Sequence, residues 1–444
     1  MGIDRAVAQT TLVWAWIEDD LDGVEEMAIF RPFRALRPDP ALASRVASLP
    51  YDVMDTEEAR ALVEGNPYSF LRVTRAEVEL GEEVDPHALE VYEYAQAKLQ
   101  SFVAKGVLAQ DSVARFHVYQ LVMGEHRQTG FVGLASCVEY DKGIVRKHEF
   151  TRPDKELDRV NHITTVGAQT GPVLLTYRSQ PDLDALLEQI SAQPPTLAFE
   201  ATDGIEHRCW EVVDDATNQS IASLFREHVA LIYVADGHHR SAAASRVAQA
   251  RRQADPHLSP EDLSQFFLSV VFPHNQMQIL PYHRLVHDLG DLSAAAFLSC
   301  VDQLFVREPL QDIPKVSPPT PHCFDLFFQK TWWRLRLRPE VDIPNDPVGR
   351  LDVSLLQDRF LAPVLGIVDP RRDKRISFVG GIRGYQGLEA MASRYPEGVA
   401  WACYPTSVEE LLGVADANHV MPPKSTWFEP KLRSGLFVHL LPRS

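Results

Sequence analysis

The stretch VADGHHRSAAA, Val234 to Ala244, decides how the rest of the chain is read. An apolar run, VALIYVAD, ends in an acid and a glycine, and an alanine-rich run, SAAASRVAQARRQA, follows at once. The first run predicts a buried strand and the second a helix, so the four residues between them, Gly237 to Arg240, form a strand-to-helix turn. Gly237 lets the backbone bend there without a Cβ in the way.

A helix start has backbone amides with no partner inside the helix, which makes such a turn a ready anion site. Arg240 adds a planar fork suited to phosphate or carboxylate, and His238 and His239 donate hydrogen bonds or move protons near neutral pH. Asp236 can accept a proton or hold a magnesium ion. These are the parts of a phosphate-handling site, with Asp236, His238 and His239 as catalytic candidates and Gly237 and Arg240 as phosphate holders. In the plainer reading Asp236 caps the helix, Gly237 turns the chain and the polar side chains face water. A metal reading needs a third ligand near His238 and His239, because neighbouring histidines rarely point at one ion and the chain has no HExxH or CxxC.

Two further segments carry the same kinds of residue. RKHEFTRPDKELDR, Arg146 to Arg159, is dense in charge but is fixed by Thr151 and Pro153, so it reads as a shaped loop. Glu149 is its candidate general base, and Arg152, Lys155 and Arg159 its candidate phosphate cations. MPPKSTWFEPKLRSGL, Met421 to Leu436, is stiffened by prolines and offers Lys424 and Lys431 as cations. It lacks the glycines of a Walker A loop. Smaller candidates are Asp52 in the proline-fixed turn LPYDV, Arg284 at the end of PYHR, and the glycine-rich VGGIRG at Val379 to Gly384, which is not a GxGxxG.

Around these motifs the pattern alternates between strands and helices, which predicts a mixed α/β (α+β) fold of mixed sheets with flanking helices. IFRPFRALRPDP reads as extended structure breaking at Pro38. Asp55 or Thr56, with Glu58, opens a helix that stops at Gly65, and NPYSFLRVTR reads as a strand. Helical spacing runs from Pro86 to Lys105, and ARFHVYQLVM, RQTGFVGLASCVEY and GIVRKHEF read as a β-meander. FFLSVVFP and ILPYHRLVHDL read as strands around a turn. Pro314 to His322 reads as an exposed hairpin loop, because a proline-rich run cannot sit inside a sheet. Helices are expected near Val353 to Leu365 and Val408 to Ala417. The expected regions are a leader at 1–26 with Met27 as a plausible original start, an N-terminal α/β region at 27–180, a core with the DGHHR turn at 181–310, and a C-terminal α/β region at 311–444 packing on that core.

Composition narrows the function classes. Hydrophobic residues are 45% and charged residues 24%, which predicts an ordered globular chain. With 44 basic against 61 acidic residues the formal net charge is -17, which argues against a broad grip on nucleic acid. Five scattered cysteines without a CxxC pair predict reduced thiols and a cytoplasmic protein. No segment has the apolar length of a membrane span.

The ordered set FRALRP, PYDV, NPYSFLRV, HEFTRPDKELDR, ADGHHRSAAA, LPYHR, DVSLLQD and MPPKSTWFEPKLRSGL resembles a bacterial and archaeal family of uncharacterised proteins, domain of unknown function 1015. The DGHHR piece is also similar to the second motif of the ParB and sulfiredoxin superfamily, whose free serine kinases carry a like sequence. That resemblance implies a phosphate-binding strand-turn-helix embedded in a larger chain, with Asp236 to Arg240 holding phosphate or assisting its transfer. LRP at Leu36 to Pro38 lies about two hundred residues upstream of the motif, unlike the compact superfamily members. The function expected is a nucleotide-dependent small-molecule phosphotransferase, with a free amino acid such as serine as acceptor, or a nucleotide hydrolase. The nucleotide would be ATP or ADP with Mg²⁺, the partner a small-molecule substrate. A non-catalytic nucleotide- or phosphometabolite-binding regulator and a metal-dependent hydrolase are the alternatives.

Overall fold

The computed structural model describes residues 27–442; the leader expected at 1–26 lies outside them. A nine-stranded mixed sheet forms the centre. Its order runs Val145–Arg146, Ile232–Asp236, Val173–Tyr177, Phe266–Pro273, His126–Ser136, His117–Met123, Glu206–Glu211, Leu197–Glu200, with Phe30–Arg31 also pairing His126–Ser136. Val145–Arg146 runs parallel to Ile232–Asp236, and Val173–Tyr177 parallel to Phe266–Pro273, while the other pairings are antiparallel.

The strand alternation explains why this sheet is covered on both faces. Ile232 and Val234 face one core, where Leu183, Leu187, Ile221, Phe225 and the alanines of the helix His238–Ala254 pack. Tyr233 and Ala235 face a second core, shared with Leu411, Leu412 and Val414 of the helix Val408–Asp416 and with Leu432, Leu436 and Phe437 of the C-terminal segment. Ala243 and Ala248 are fully buried, and their small side chains let the His238–Ala254 helix lie close to the sheet.

A second, fully antiparallel sheet has the order Phe305–Pro309, Thr331–Leu337, Cys323–Phe328, Val399–Ala402, Tyr282–Val286, Ile376–Gly380. A helical region near the N-terminus, with helices Thr56–Val63, Leu71–Thr74 and Leu89–Ala104, completes the described chain. Asp55 opens the first of these by a capping box with Glu58, as expected from the sequence. Among the described residues no helix is long and apolar enough to cross a membrane. All five cysteines are free thiols.

Three local expectations are corrected. NPYSFLRVTR is not a strand: its apolar residues Phe70, Leu71 and Val73 are buried in short helical turns against the helices around them, so tertiary packing overrides β-propensity. Pro314 to His322 is not a hairpin loop, because the strands before and after it, Phe305–Pro309 and Cys323–Phe328, are not neighbours; each pairs with Thr331–Leu337 between them. FFLSVVFP and PYHRLV do not pair around a turn either, since they end up in different sheets.

Four buried histidines make stability depend on pH. Burial pushes His162, His283 and His439 down to about 4 and His207 to about 3. Their folded values lie below the ordinary value of about 6.5, so as pH falls through 6.5 the unfolded chain takes up protons that the folded chain refuses. Stability is therefore complete above that value and is lost progressively towards about pH 4, each group contributing up to roughly 1.4 kcal/mol per pH unit. Urea unfolding followed across this window is expected to show a falling midpoint; a flat midpoint contradicts it.

Candidate functional site

The two parallel strands Val145–Arg146 and Ile232–Asp236 end at the same edge of the sheet, so the loops that leave them lie side by side. One loop carries His148 and Glu149, and the other is the turn Asp236, Gly237, His238. Gly237 has φ +98° and precedes the helix His238–Ala254, whose first turn contains no acidic residue. Its free amides and the positive end of the helix therefore remain available to an anion.

His238 is buried and stands edge-on to His148, with ring centroids 4.5 Å apart. Its Nδ1 lies 4.0 Å from Oε2 of Glu149, whose side chain is 40% accessible. Burial, helped by the charges of Asp236 and Asp52, holds the Glu149 carboxyl above its ordinary range against the pull of Lys424. Burial and the neighbouring His148 keep His238 well below its usual value. His239 also lies below its usual value through burial, and its Nε2 accepts a hydrogen bond from the Arg152 amide at 3.0 Å.

Asp236 is held by the C-terminal segment. Lys431 Nζ donates to its Oδ2 at 2.9 Å. Burial alone would raise the Asp236 carboxyl, but Lys431 and Arg240 outweigh it and hold the carboxyl well below the carboxylate range. Lys431 itself lies over the Trp427 ring, 5.0 Å from its centroid. Lys424 is at the exposed rim, 5.5 Å from the Tyr282 ring centroid, and feels Glu149 and Asp52.

Arg240 takes a different direction from the rest of the turn. Its guanidinium folds back beneath Gly237 and donates to the Pro172 carbonyl, while its Nε is buried without a partner among the described residues. There it lines a neighbouring cleft together with Tyr51, Arg159, Thr170, Gly171 and Ser434. Arg159 is oriented by two hydrogen bonds to Asp158 Oδ2, at 2.9 and 2.7 Å, and lies 3.9 Å from the Tyr51 ring centroid.

Sequence reasoning placed Asp236, His238, His239, Glu149, Lys424 and Lys431 in one site, and the structure brings these six together. Arg240 and Arg159 belong to the adjoining cleft. Arg152 contributes its amide, while its side chain pairs with Asp154 at 2.7 Å in the open. Lys155 is exposed on the first turn of the helix Pro153–Val166. Arg284 is buried in the second sheet, with its guanidinium donating to the Tyr282 carbonyl and lying over Phe378.

Two residues gain weight only in three dimensions. His148, the neighbour of Glu149 in HEF, was not singled out, and nothing in a single histidine after a strand would have done so. Asp52 was noted only as a turn residue. It is exposed next to Tyr51 of the cleft, and its charge acts on Tyr51, Glu149, His239, Lys424 and Lys431.

A family model described as "Protein of unknown function (DUF1015)" matches residues 30–354. The chain belongs to this family. No curated protein matches this DUF1015 chain. Among solved structures it is similar to a free serine kinase in complex with AMP (11% identity, 67% of this chain and 86% of that one, TM-score 0.31). It is also similar to a conserved hypothetical protein from Pyrococcus furiosus (12%, 70% and 95%, TM-score 0.34). A third is SbnI with C-terminal truncation from Staphylococcus aureus (13%, 70% and 87%, TM-score 0.36). TM-scores this low carry neither fold nor function across to the DUF1015 chain.

The backbone at Gly237 gives a direct check. A Cβ there would lie 3.1 Å from the Arg240 guanidinium carbon at φ +98°, whereas at Gly106, with φ +69°, it would meet nothing within 4 Å. Gly106→Ala is expected to cost about 1 kcal/mol or slightly more for its left-handed backbone, and Gly237→Ala more, on the order of 1–3 kcal/mol. Urea unfolding of the two variants side by side measures the difference, and equal costs contradict the close approach of Arg240.

Proposed function

We propose that this protein is a nucleotide-dependent phosphotransferase acting on a small molecule, with the transferring phosphate held at the start of the His238–Ala254 helix. The observation that carries the reading is the meeting of free helix-start amides with Lys424 and Lys431 at one end, and of Arg159 and Arg240 in a cleft next to it. Phosphoryl transfer needs mainly position and positive charge around the moving oxygens. In this reading the amides and the two lysines take the phosphates, and the cleft takes the acceptor. Two guanidiniums with the Tyr51 hydroxyl and Ser434 suit a small acceptor with a carboxylate, such as a free amino acid, and serine fits the likeness of the DGHHR motif.

The acceptor hydroxyl must lose a proton between those two places. Asp236 is taken by Lys431 and is held as a weak base, and Glu149 is turned towards His238. Asp52 is exposed next to Tyr51 of the cleft and its charge acts on Lys424 and Lys431, and we assign it the proton-accepting role. A magnesium ion carried in on the nucleotide would spread the phosphate charge and keep most of its water and phosphate oxygens. Asp236, engaged by Lys431 through Oδ2, is the acid at that end that would meet it. A sensing role without turnover is less well supported, because it would not need acids gathered at the mouth.

Phosphate transfer from ATP or ADP to candidate acceptors, serine among them, tests the reading. Asp52→Asn is expected to lower kcat by roughly 10²- to 10⁴-fold while the stabilisation of the protein by nucleotide in a thermal-shift experiment persists. Lys431→Met is expected to weaken that stabilisation. No transfer to any acceptor, together with no thermal shift by any nucleotide, would sink the proposal.

A further inference from the structure

His148, Glu149 and His238 form a cluster that the phosphate reading does not use. One ligand atom from each lies within 4.8 Å of the other two. His148 and His238 are 2% and 5% accessible. Among the described residues neither nitrogen of His148 has a hydrogen-bond partner of good geometry, although the Val234 backbone lies near the ring, and Nε2 of His238 has none. Two imidazoles buried edge to edge in this way leave unmet polar atoms, which costs stability unless something binds them.

The placement is not an accident of one flexible loop. The parallel strands Val145–Arg146 and Ile232–Asp236 deliver the two histidines from separate parts of the chain to one sheet edge. The Met421 amide donates to the His148 carbonyl at 2.9 Å, which ties that loop to the C-terminal segment. Glu149 alone is partly accessible, and its side chain can close on an ion from the open side. Its closing is needed, because ligand atoms around a tetrahedral ion with bonds of about 2.0–2.1 Å stand roughly 3.3 Å apart.

We propose that His148, Glu149 and His238 bind one divalent transition-metal ion of the zinc class, leaving an open position towards Asp236 and the helix start. Two nitrogens and one carboxylate suit a borderline ion such as Zn²⁺ or Co²⁺ and poorly suit Mg²⁺, which takes oxygen ligands. Three protein ligands with a free fourth position are the arrangement of a reactive metal centre and not of a closed structural one. An ion there would act as a Lewis acid beside the phosphate end. The assignment does not rest on the phosphotransfer reading, and its test contains no nucleotide.

The full-length protein, stripped by chelator and dialysed, is titrated with Co²⁺ and read by its visible d–d absorption, then back-titrated with Zn²⁺. One equivalent is expected to bind, with no thiolate charge-transfer band, and Zn²⁺ is expected to displace it. His148→Ala should abolish the band. Glu149→Ala, at a partly accessible position where folding is not at stake, should weaken binding by more than the roughly 10- to 100-fold that loss of a supporting partner costs. Absence of a stoichiometric Co²⁺ or Zn²⁺ complex in the wild type overturns the proposal. So does a thiolate band, or unchanged affinity in Glu149→Ala with its fold intact by circular dichroism.

Discussion

The contact on which the site depends is the ion pair between Asp236 and Lys431, 195 residues apart in sequence. It docks the C-terminal segment against the turn that opens the His238–Ala254 helix. The same segment is held elsewhere by main-chain bonds, Ser434 to Ser48 and Val438 to Leu36, and by a strand pairing of His439–Leu440 with Ala168–Gln169. Arg433 adds a buried bond to His207 and an ion pair with Asp203. Removing Lys431 would leave Arg240 as the main charge offsetting the burial of Asp236, a costlier change than the loss of one surface pair.

The pair also sorts the charges of the site into separate tasks. Once Lys431 neutralises Asp236, the helix start keeps a positive character despite the formal net charge of -17 of the whole chain. Local arrangement outweighs net charge here because interactions across a few ångströms in a partly buried site are screened much less than those across the surface. Arg240 could have joined that end but is drawn away by the Pro172 carbonyl, and with Arg159 it makes the cleft cationic instead. The result is that the positive charge near the turn is divided between the helix start and the cleft.

Much of the fold was legible because it is encoded locally. The continuous apolar run in VALIYVAD announced a strand buried on both faces, and Ile232 and Val234 indeed enter one core while Tyr233 and Ala235 enter the other. The capping box at Asp55 and the strand-turn-helix at Gly237 follow from side chains that bond to their own neighbours in sequence. NPYSFLRVTR misled because its β-favouring residues serve helical turns that only neighbouring helices make profitable. Chain order misled at Pro314 to His322 and at PYHR, where strands close in sequence pair with others farther away.

By itself, then, the sequence determined the elements, the turn at Gly237 and the identity of most residues that gather around it, since these depend on periodicity, on φ and on neighbours a few positions away. Tertiary structure alone decided that the charge of Asp52 acts on His239, that His148 faces His238, and that Arg240 turns from the helix start towards Pro172. The reason is physical: a side chain's direction is set by the partners that satisfy or repel it, and at this site those partners arrive from segments roughly 70 to 200 residues away.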